Sequence, residues 1–317
     1  MYLSVKNLKR IFSGFCMVMF LMTGASAFWD TVESVSIEGE NSAPTVKAVS
    51  AETFTNVMIE LPLTVSDPDG DAVLLKLIDA PKLGTASIEG SKLQYTPQNN
   101  KTGTDKFSYV AIDTFGNQSE KAEIKIKISK NKAKMTYSDM IDDPSQYAAL
   151  KLAQAGVMTG EKIGTAYFFH PDDTVTRSEF IAMAAAVDGL DIKETSQTDF
   201  IDDSGLSDWV KPYVSAAAAN GLISGYQTAS GGCELRGQNP ITLAEASVIL
   251  SNMLSDQNSV VQTASIDTDY APVWARGACA TLVASDILPD DLTAETSTAP
   301  ITRSMACELL YRTMQKL

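Results

Sequence analysis

The sequence predicts a multidomain protein in which an all-β sandwich precedes a mainly α bundle built from three repeats. Three observations predict it. Residues 44–128 alternate apolar and polar side chains in short runs separated by turn residues. From about residue 135 the texture changes to Ala-rich helical segments. Within those segments Ala155-Gly156-Val157-Met158-Thr159-Gly160 returns as Asn220-Gly221-Leu222-Ile223-Ser224-Gly225 and, weakened, as Ser285-Asp286-Ile287-Leu288-Pro289-Asp290, each step being 65 residues.

Composition sets the outer limits. With 317 residues, 44% of them hydrophobic, there is enough apolar surface for two or three cores. A net charge of −14 argues against nucleic acid, whose phosphates need clustered Lys and Arg. Any anionic partner must be captured locally, by a few placed cations.

The N-terminus reads as a secretory signal over residues 1–27. Lys6, Lys9 and Arg10 precede the apolar run 11–22, which is too short to span a bilayer comfortably, and Ala25-Ser26-Ala27 forms a small-x-small cleavage site. Cys16 lies inside that run, without the small-residue box of a lipid anchor. No later run is long enough to span a membrane, so export to the cell surface is expected. Residues 28–42 are polar and aperiodic, and read as a linker.

The sandwich is expected over 43–130. Strand signals fall at 57–65, 72–78, 85–88, 92–96, 107–112 and 122–128; in the last, Ile124, Ile126 and Ile128 share one face and Glu123, Lys125 and Lys127 the other. Turns are marked by Asp67-Pro68-Asp69-Gly70-Asp71, Glu89-Gly90, Gly103 and Phe115-Gly116-Asn117. About seven short strands in this length suggest an immunoglobulin-like arrangement. Asp67, Asp69 and Asp71 could offer oxygens to Ca²⁺. A tight Asp-Gly hairpin turn explains the same residues without metal and is the favoured reading, because the run lacks the later bidentate Glu.

The repeats are expected over 135–190, 198–255 and 263–317. In the first, a helix over 147–155 ends at Gly156, where glycine can take the left-handed conformation. A loop over 157–173 follows, and Thr176 caps the next helix with Glu179 completing a capping box. Thr242 and Glu245 repeat the box, whereas Thr302 faces Met305 and keeps half of it. Capping does not explain Arg177 and Arg303. A cation in the first helical turn opposes the helix dipole, so these two are better candidates for ligand contact than their neighbours.

Tyr137-Ser138-Asp139, Gly156, Gly160, His170-Pro171 and Thr176-Arg177-Ser178-Glu179 together resemble an S-layer homology repeat. The second copy shows Phe200-Ile201-Asp202-Asp203, Trp209, Gly221, Gly225 and Ile241-Thr242, and the third Ile266-Asp267, Trp274, Ile287-Leu288 and Ile301-Thr302-Arg303. The resemblance implies three repeats with pseudo-threefold symmetry around a central helical bundle. It also implies grooves that hold secondary cell-wall polysaccharide, often pyruvylated, with modified peptidoglycan as the alternative ligand. By position it places Arg177 and Arg303, with Gly156, Gly160, Gly221 and Gly225, in those grooves. Arg supplies a planar fork for a carboxylate, and glycines let backbone amides approach a sugar. Trp209 and Trp274 could stack on a sugar ring, although an aromatic at a helix start more often packs into a core. The second repeat departs from the pattern with Leu243 in place of Arg, and the third with Asp286 and Asp290 in place of the loop glycines.

Asn41-Ser42-Ala43-Pro44, the Asp67 to Asp71 run, Leu93-Gln94-Tyr95-Thr96-Pro97 and Gly103-Thr104-Asp105 resemble the cadherin-like or immunoglobulin-like tandem domains of bacterial surface proteins, which serve as spacers or adhesive modules. Partners among S-layer or other surface proteins follow from that resemblance. An enzyme is disfavoured: the chain holds one histidine, His170, in a repeat loop, and lacks a phosphate-binding Gly-rich loop and a paired-His metal motif. Cys233, Cys279 and Cys307 remain after signal removal. An odd number leaves at least one free thiol or an intermolecular bond, and the helical positions of Cys279 and Cys307 would let them pack as neighbours.

Overall fold

The structure, a computed structural model, describes residues 41–132, 135–255, 266–289 and 292–317. The expected signal, most of the linker and Asp290 lie outside the described residues.

The sandwich begins with β1 (Thr45–Val46), β2 (Val49–Phe54), β3 (Ile59–Pro62), β4 (Val65–Ser66) and β5 (Val73–Leu77), and continues with β6 (Gly84–Glu89), β7 (Lys92–Pro97), β8 (Gly103–Asp113) and β9 (Ala122–Ser129). One sheet runs β2-β9-β8-β5 and the other β3-β7-β6, while β1 pairs with β4. Ile124, Ile126 and Ile128 are buried between the sheets and their charged neighbours are exposed, as the alternation requires. The run 57–65 is two strands, because Pro62 offers no N–H for a longer ladder; β3 sits at a sheet edge, where proline is tolerated. Asp105, 1% exposed, takes hydrogen bonds from the amides of Lys82 (2.9 Å), Leu83 (2.7 Å) and Lys106 (3.1 Å) and from the Tyr95 hydroxyl (2.8 Å). It thereby ties the loop before β6 to β8.

At the Asp67 turn, Oδ1 of Asp67 accepts from the amides of Asp69 (3.0 Å) and Asp71 (3.1 Å), and Gly70 stands at φ +76°. These are the bonds of a tight turn. The three carboxylates come within 4.8 Å of one another.

The helical half consists of α1 (Gln146–Gln154), β10 (Glu161–Ile163), β11 (Ala166–Phe168), α2 (Arg177–Val187), α3 (Lys211–Ala219), β12 (Tyr226–Gln227), β13 (Cys233–Glu234), α4 (Leu243–Ser255), α5 (Arg276–Ala284), α6 (Ala294–Thr298) and α7 (Arg303–Met314). No described helix is long and apolar enough to cross a membrane. Each repeat opens with one of α1, α3 and α5 and carries its second helix in α2, α4 or α7. The second helix packs on the first helix of the next repeat: α2 on α3, α4 on α5, and α7 back on α1. The three second helices meet in the middle, so the repeats close into a ring with pseudo-threefold symmetry.

A cycle of backbone hydrogen bonds lies at the heart of the ring. Val175 donates to Ile301 (3.2 Å), Ile301 to Ile241 (2.9 Å) and Ile241 to Val175 (2.9 Å), and all three side chains are buried. The free amides that open each second helix are satisfied across the seams between repeats. Arg177 and Ser178 donate to Asn239 (2.8 Å) and Gly237 (3.0 Å), Leu243 to Ala299 (3.2 Å), and Arg303 and Ser304 to Asp173 (2.8 Å) and Pro171 (2.9 Å). Thr176 and Glu179 form the full capping box, as do Thr242 and Glu245, and Thr302 caps the Met305 amide alone.

The loops after the first helices of the first two repeats contain short hairpins, β10–β11 and β12–β13. Among the described residues Cys233, Cys279 and Cys307 are free. Cys279 and Cys307 are not neighbours: the Cys307 thiol faces Ser145 and Ser304, while Cys279 faces Ser247 and Tyr270. They fill different seams, so no disulfide joins them. Sandwich and ring meet where Phe54 packs on Tyr147 (ring centroids 4.9 Å apart) and Tyr147 on Tyr311 (5.7 Å). Beside this contact lies a cleft of ≈ 330 Å³ lined by β2, β3 and the C-terminal turns of α7.

Candidate functional site

The four glycines divide by duty. Gly156 and Gly221 end α1 and α3 at φ +72° and +76°, with open space where a Cβ would stand. The amides after them, Val157 and Leu222, return to Leu152 (3.0 Å) and Ala217 (2.9 Å), closing the helix ends. Asp286 holds the equivalent left-handed conformation in the third repeat without being glycine (φ +57°). Gly160 and Gly225 lie against backbone: a Cβ would come within 2.2 Å of the Phe168 carbonyl at the first, and within 2.5 Å of the Phe200 ring and 2.8 Å of the Glu234 carbonyl at the second. Both let an aromatic residue, Tyr137 or Phe200, seal the start of its repeat.

Trp209 and Trp274 correct the expectation that helix-start aromatics are core. They are 58% and 62% exposed. Core packing at these places comes from Val210 and Ala275, the residues that follow them, which turns the indoles outward.

Arg177 and Arg303 occupy the same position, first in their helices, at two different seams. Their surroundings differ. Arg303 lies over the Phe169 ring at 4.8 Å; its Nε donates to the Phe169 carbonyl (2.8 Å) and its Nη2 to the Thr159 carbonyl (3.1 Å). Arg177 is 8% exposed, and its Nε has no hydrogen-bond partner. Its ion pair with Glu245 is 3.8 Å long. Its guanidinium lies 5.0 Å from the centre of the Tyr226 ring, and the same ring receives Arg236 at 4.4 Å. The Tyr226 hydroxyl donates to Glu245. Burial alone would push the Glu245 carboxyl up, but the Thr242 amide, the Tyr226 hydroxyl and the Arg177 charge together hold it below the ordinary carboxylate value. Burial, and then the bond to Glu245, push the Tyr226 phenol up, so it stays a donor at neutral pH.

Tyr226 and Arg236 escaped the sequence reading. A signal for Arg236 existed. Asp139 accepts the Phe169 and His170 amides and Asp202 accepts the Leu235 and Arg236 amides, so His170 and Arg236 are equivalent. Both stand at φ +57°, a region that non-glycine residues rarely adopt. Aligning the repeats on Asp139 and Asp202 pairs these two positions. The seam between the second and third repeats has no arginine at the helix start; Leu243 is buried there instead.

Comparison with known proteins returns the two modules separately. The model of a bacterial Ig domain matches residues 41–127, and the model of an S-layer homology domain matches 136–181 and 200–247. A surface-layer 125 kDa protein of Lysinibacillus sphaericus is 28% identical over 135 residues, which is 42% of this chain and 11% of that protein. Among solved structures, an endo-fucoidan hydrolase of glycoside hydrolase family 107 shares 23% identity at a TM-score of 0.25, over 29% of this chain and 14% of its own. The SrpA adhesin of Streptococcus sanguinis shares 17% at 0.24, over 31% and 66%. At these scores the structural likenesses are too slight to bear on function.

Proposed function

We propose that this chain, a bacterial Ig domain followed by S-layer homology segments, is a non-enzymatic anchor that holds an exported protein to cell-wall polysaccharide through its C-terminal ring. The S-layer homology segments and the surface-layer relative support a place at the cell surface, in contact with the wall. Modules of these two kinds are typical of non-enzymatic surface proteins. The third unit, 263–317, is read as a further repeat because α7 closes the ring on α1.

The observation that carries the reading is Arg177. It is a guanidinium withdrawn from water with its Nε donor unpartnered, at a seam between repeats, in a chain of net charge −14. A buried cation of this kind is suited to an acidic sugar, and a pyruvate ketal presents the carboxylate that a planar fork binds through two oxygens. The exposed rings of Trp209 and Trp274 offer platforms for sugar faces. The sandwich serves as a spacer or adhesive module.

The test is sedimentation of the full chain with wall sacculi, before and after the secondary polysaccharide is stripped. Binding should vanish on stripping. Retention on stripped sacculi would transfer the reading to peptidoglycan, and no sedimentation with intact sacculi would overturn it. Arg177→Ala should weaken binding by about 1.5–3 kcal/mol, the range of a charge-assisted hydrogen bond.

A further inference from the structure

The three seams of the ring are unequal, and we infer that the seam between the first and second repeats alone takes the anionic substituent of the glycan, with Arg236 as a second recognition residue beside Arg177. This rests on the wall-glycan reading above.

The other two seams lack an available fork. Leu243 puts a buried aliphatic side chain at the helix start between the second and third repeats. Between the third and first, the Nε edge of Arg303 is already bonded to the carbonyls of Phe169 and Thr159. Those residues belong to the first repeat, so Arg303 clamps the last repeat to the first. A carboxylate could take that edge only by displacing both bonds.

At the seam between the first and second repeats the situation is reversed. The Nε of Arg177 is buried and unpartnered, which is rare for a polar atom in a folded protein and is relieved by a ligand that accepts from it. Glu245 is committed to the helix cap and to Tyr226, and stays 3.8 Å from the guanidinium. Arg236 reaches the same Tyr226 ring from a left-handed backbone position, pinned by the hydrogen bond its amide donates to the Asp202 carboxylate (2.8 Å). Non-glycine residues held in such conformations cluster at ligand sites. The Arg236 side chain is 48% exposed, and its ion pair with neighbouring Glu234 is a surface contact that an incoming anion can replace. Tyr226 thus separates one buried and one accessible guanidinium, and together they fit a carboxylate or phosphate carried on a sugar.

The test titrates polysaccharide fragments released from the sacculi into the full chain by calorimetry, below the melting temperature of each variant. One site per chain is expected. Arg236→Gln, a surface change, should weaken binding about tenfold or more while melting as the parent does. Arg303→Gln should melt lower yet bind within about twofold of the parent. Competition by an amino sugar bearing a pyruvate ketal, against the same sugar bearing a phosphate, identifies which anion is read. Two sites per chain, unchanged binding by Arg236→Gln, or a tenfold loss in an Arg303→Gln variant that melts normally would each overturn the inference. Failure of the parent chain to bind any fragment would instead sink the wall-glycan reading.

Discussion

Two buried charged groups, Asp105 in the sandwich and Arg177 in the ring, are treated in opposite ways. In the sandwich, Asp105 is almost wholly enclosed and meets four donors, three amides and a phenol, all within 3.1 Å. In the ring, Arg177 is nearly as enclosed and is left with an unpartnered Nε, a long ion pair and the face of a tyrosine. Burying a charge is tolerable only when hydrogen bonds replace the lost water. Asp105 meets that condition from within and is a structural post. Arg177 does not, and on the proposed function its missing partner is the ligand. Completeness of bonding, rather than burial, separates the two roles.

Three experiments would break or sharpen this contrast. The largest effect should come from Asp105→Ala, which strands two loop amides and a buried phenol. A loss of about 3 kcal/mol in denaturant unfolding is expected, against less than about 1 kcal/mol for Arg177→Met. Equal losses would end the distinction between post and receptor. Next comes a pair of glycines in the ring. Gly225→Ala should destabilise by about 2 kcal/mol, because the new Cβ meets both positive φ and the Glu234 carbonyl; Gly221→Ala, at similar φ but in open space, should lose about 1 kcal/mol. Thermal melts of the two variants would show whether Gly225 is a packing residue. The smallest effect concerns the Glu245 cap. Its folded carboxyl is held below the ordinary value, so its contribution is complete above the unfolded pKa and disappears as pH falls through the folded one. Glu245→Gln should therefore be less stable than the parent by about 1 kcal/mol at neutral pH, with the gap closing in acid. A gap that persists or widens on acidification would assign Glu245 another role.

Much of the architecture was legible because its causes are local. The Ile124, Ile126, Ile128 alternation, the Thr176 and Thr242 capping boxes and the glycines after α1 and α3 are all short-range signals. What escaped is non-local. Strand β2 reads as Val-Ser-Ala-Glu-Thr-Phe, a mixed run with no turn to announce it, and it gains its place by parallel pairing with β9, Val49 opposite Ile124. The hairpins β10–β11 and β12–β13 are too short to show a period. The Trp209 and Trp274 expectation failed because core packing was supplied by the next residue, and a shift of one position along a chain entering a helix is enough to turn an indole out. The candidate site was half legible. Arg177 stood out as a cation at the wrong end of a helix dipole. Its partners Tyr226 and Arg236 come from another repeat, and Arg303, identical by motif, proved to be a clamp only once its carbonyl partners were seen.

The hydrogen-bond cycle through Val175, Ile241 and Ile301 has a corollary. A closed wheel has no privileged first spoke, since each unit leans on the one ahead and the last leans on the first. One joint can then carry a buried leucine where the other two carry arginine, as at Leu243, provided the hub endures. Three repeats of one pattern can thus differ at their joints without any of them becoming dispensable to the whole.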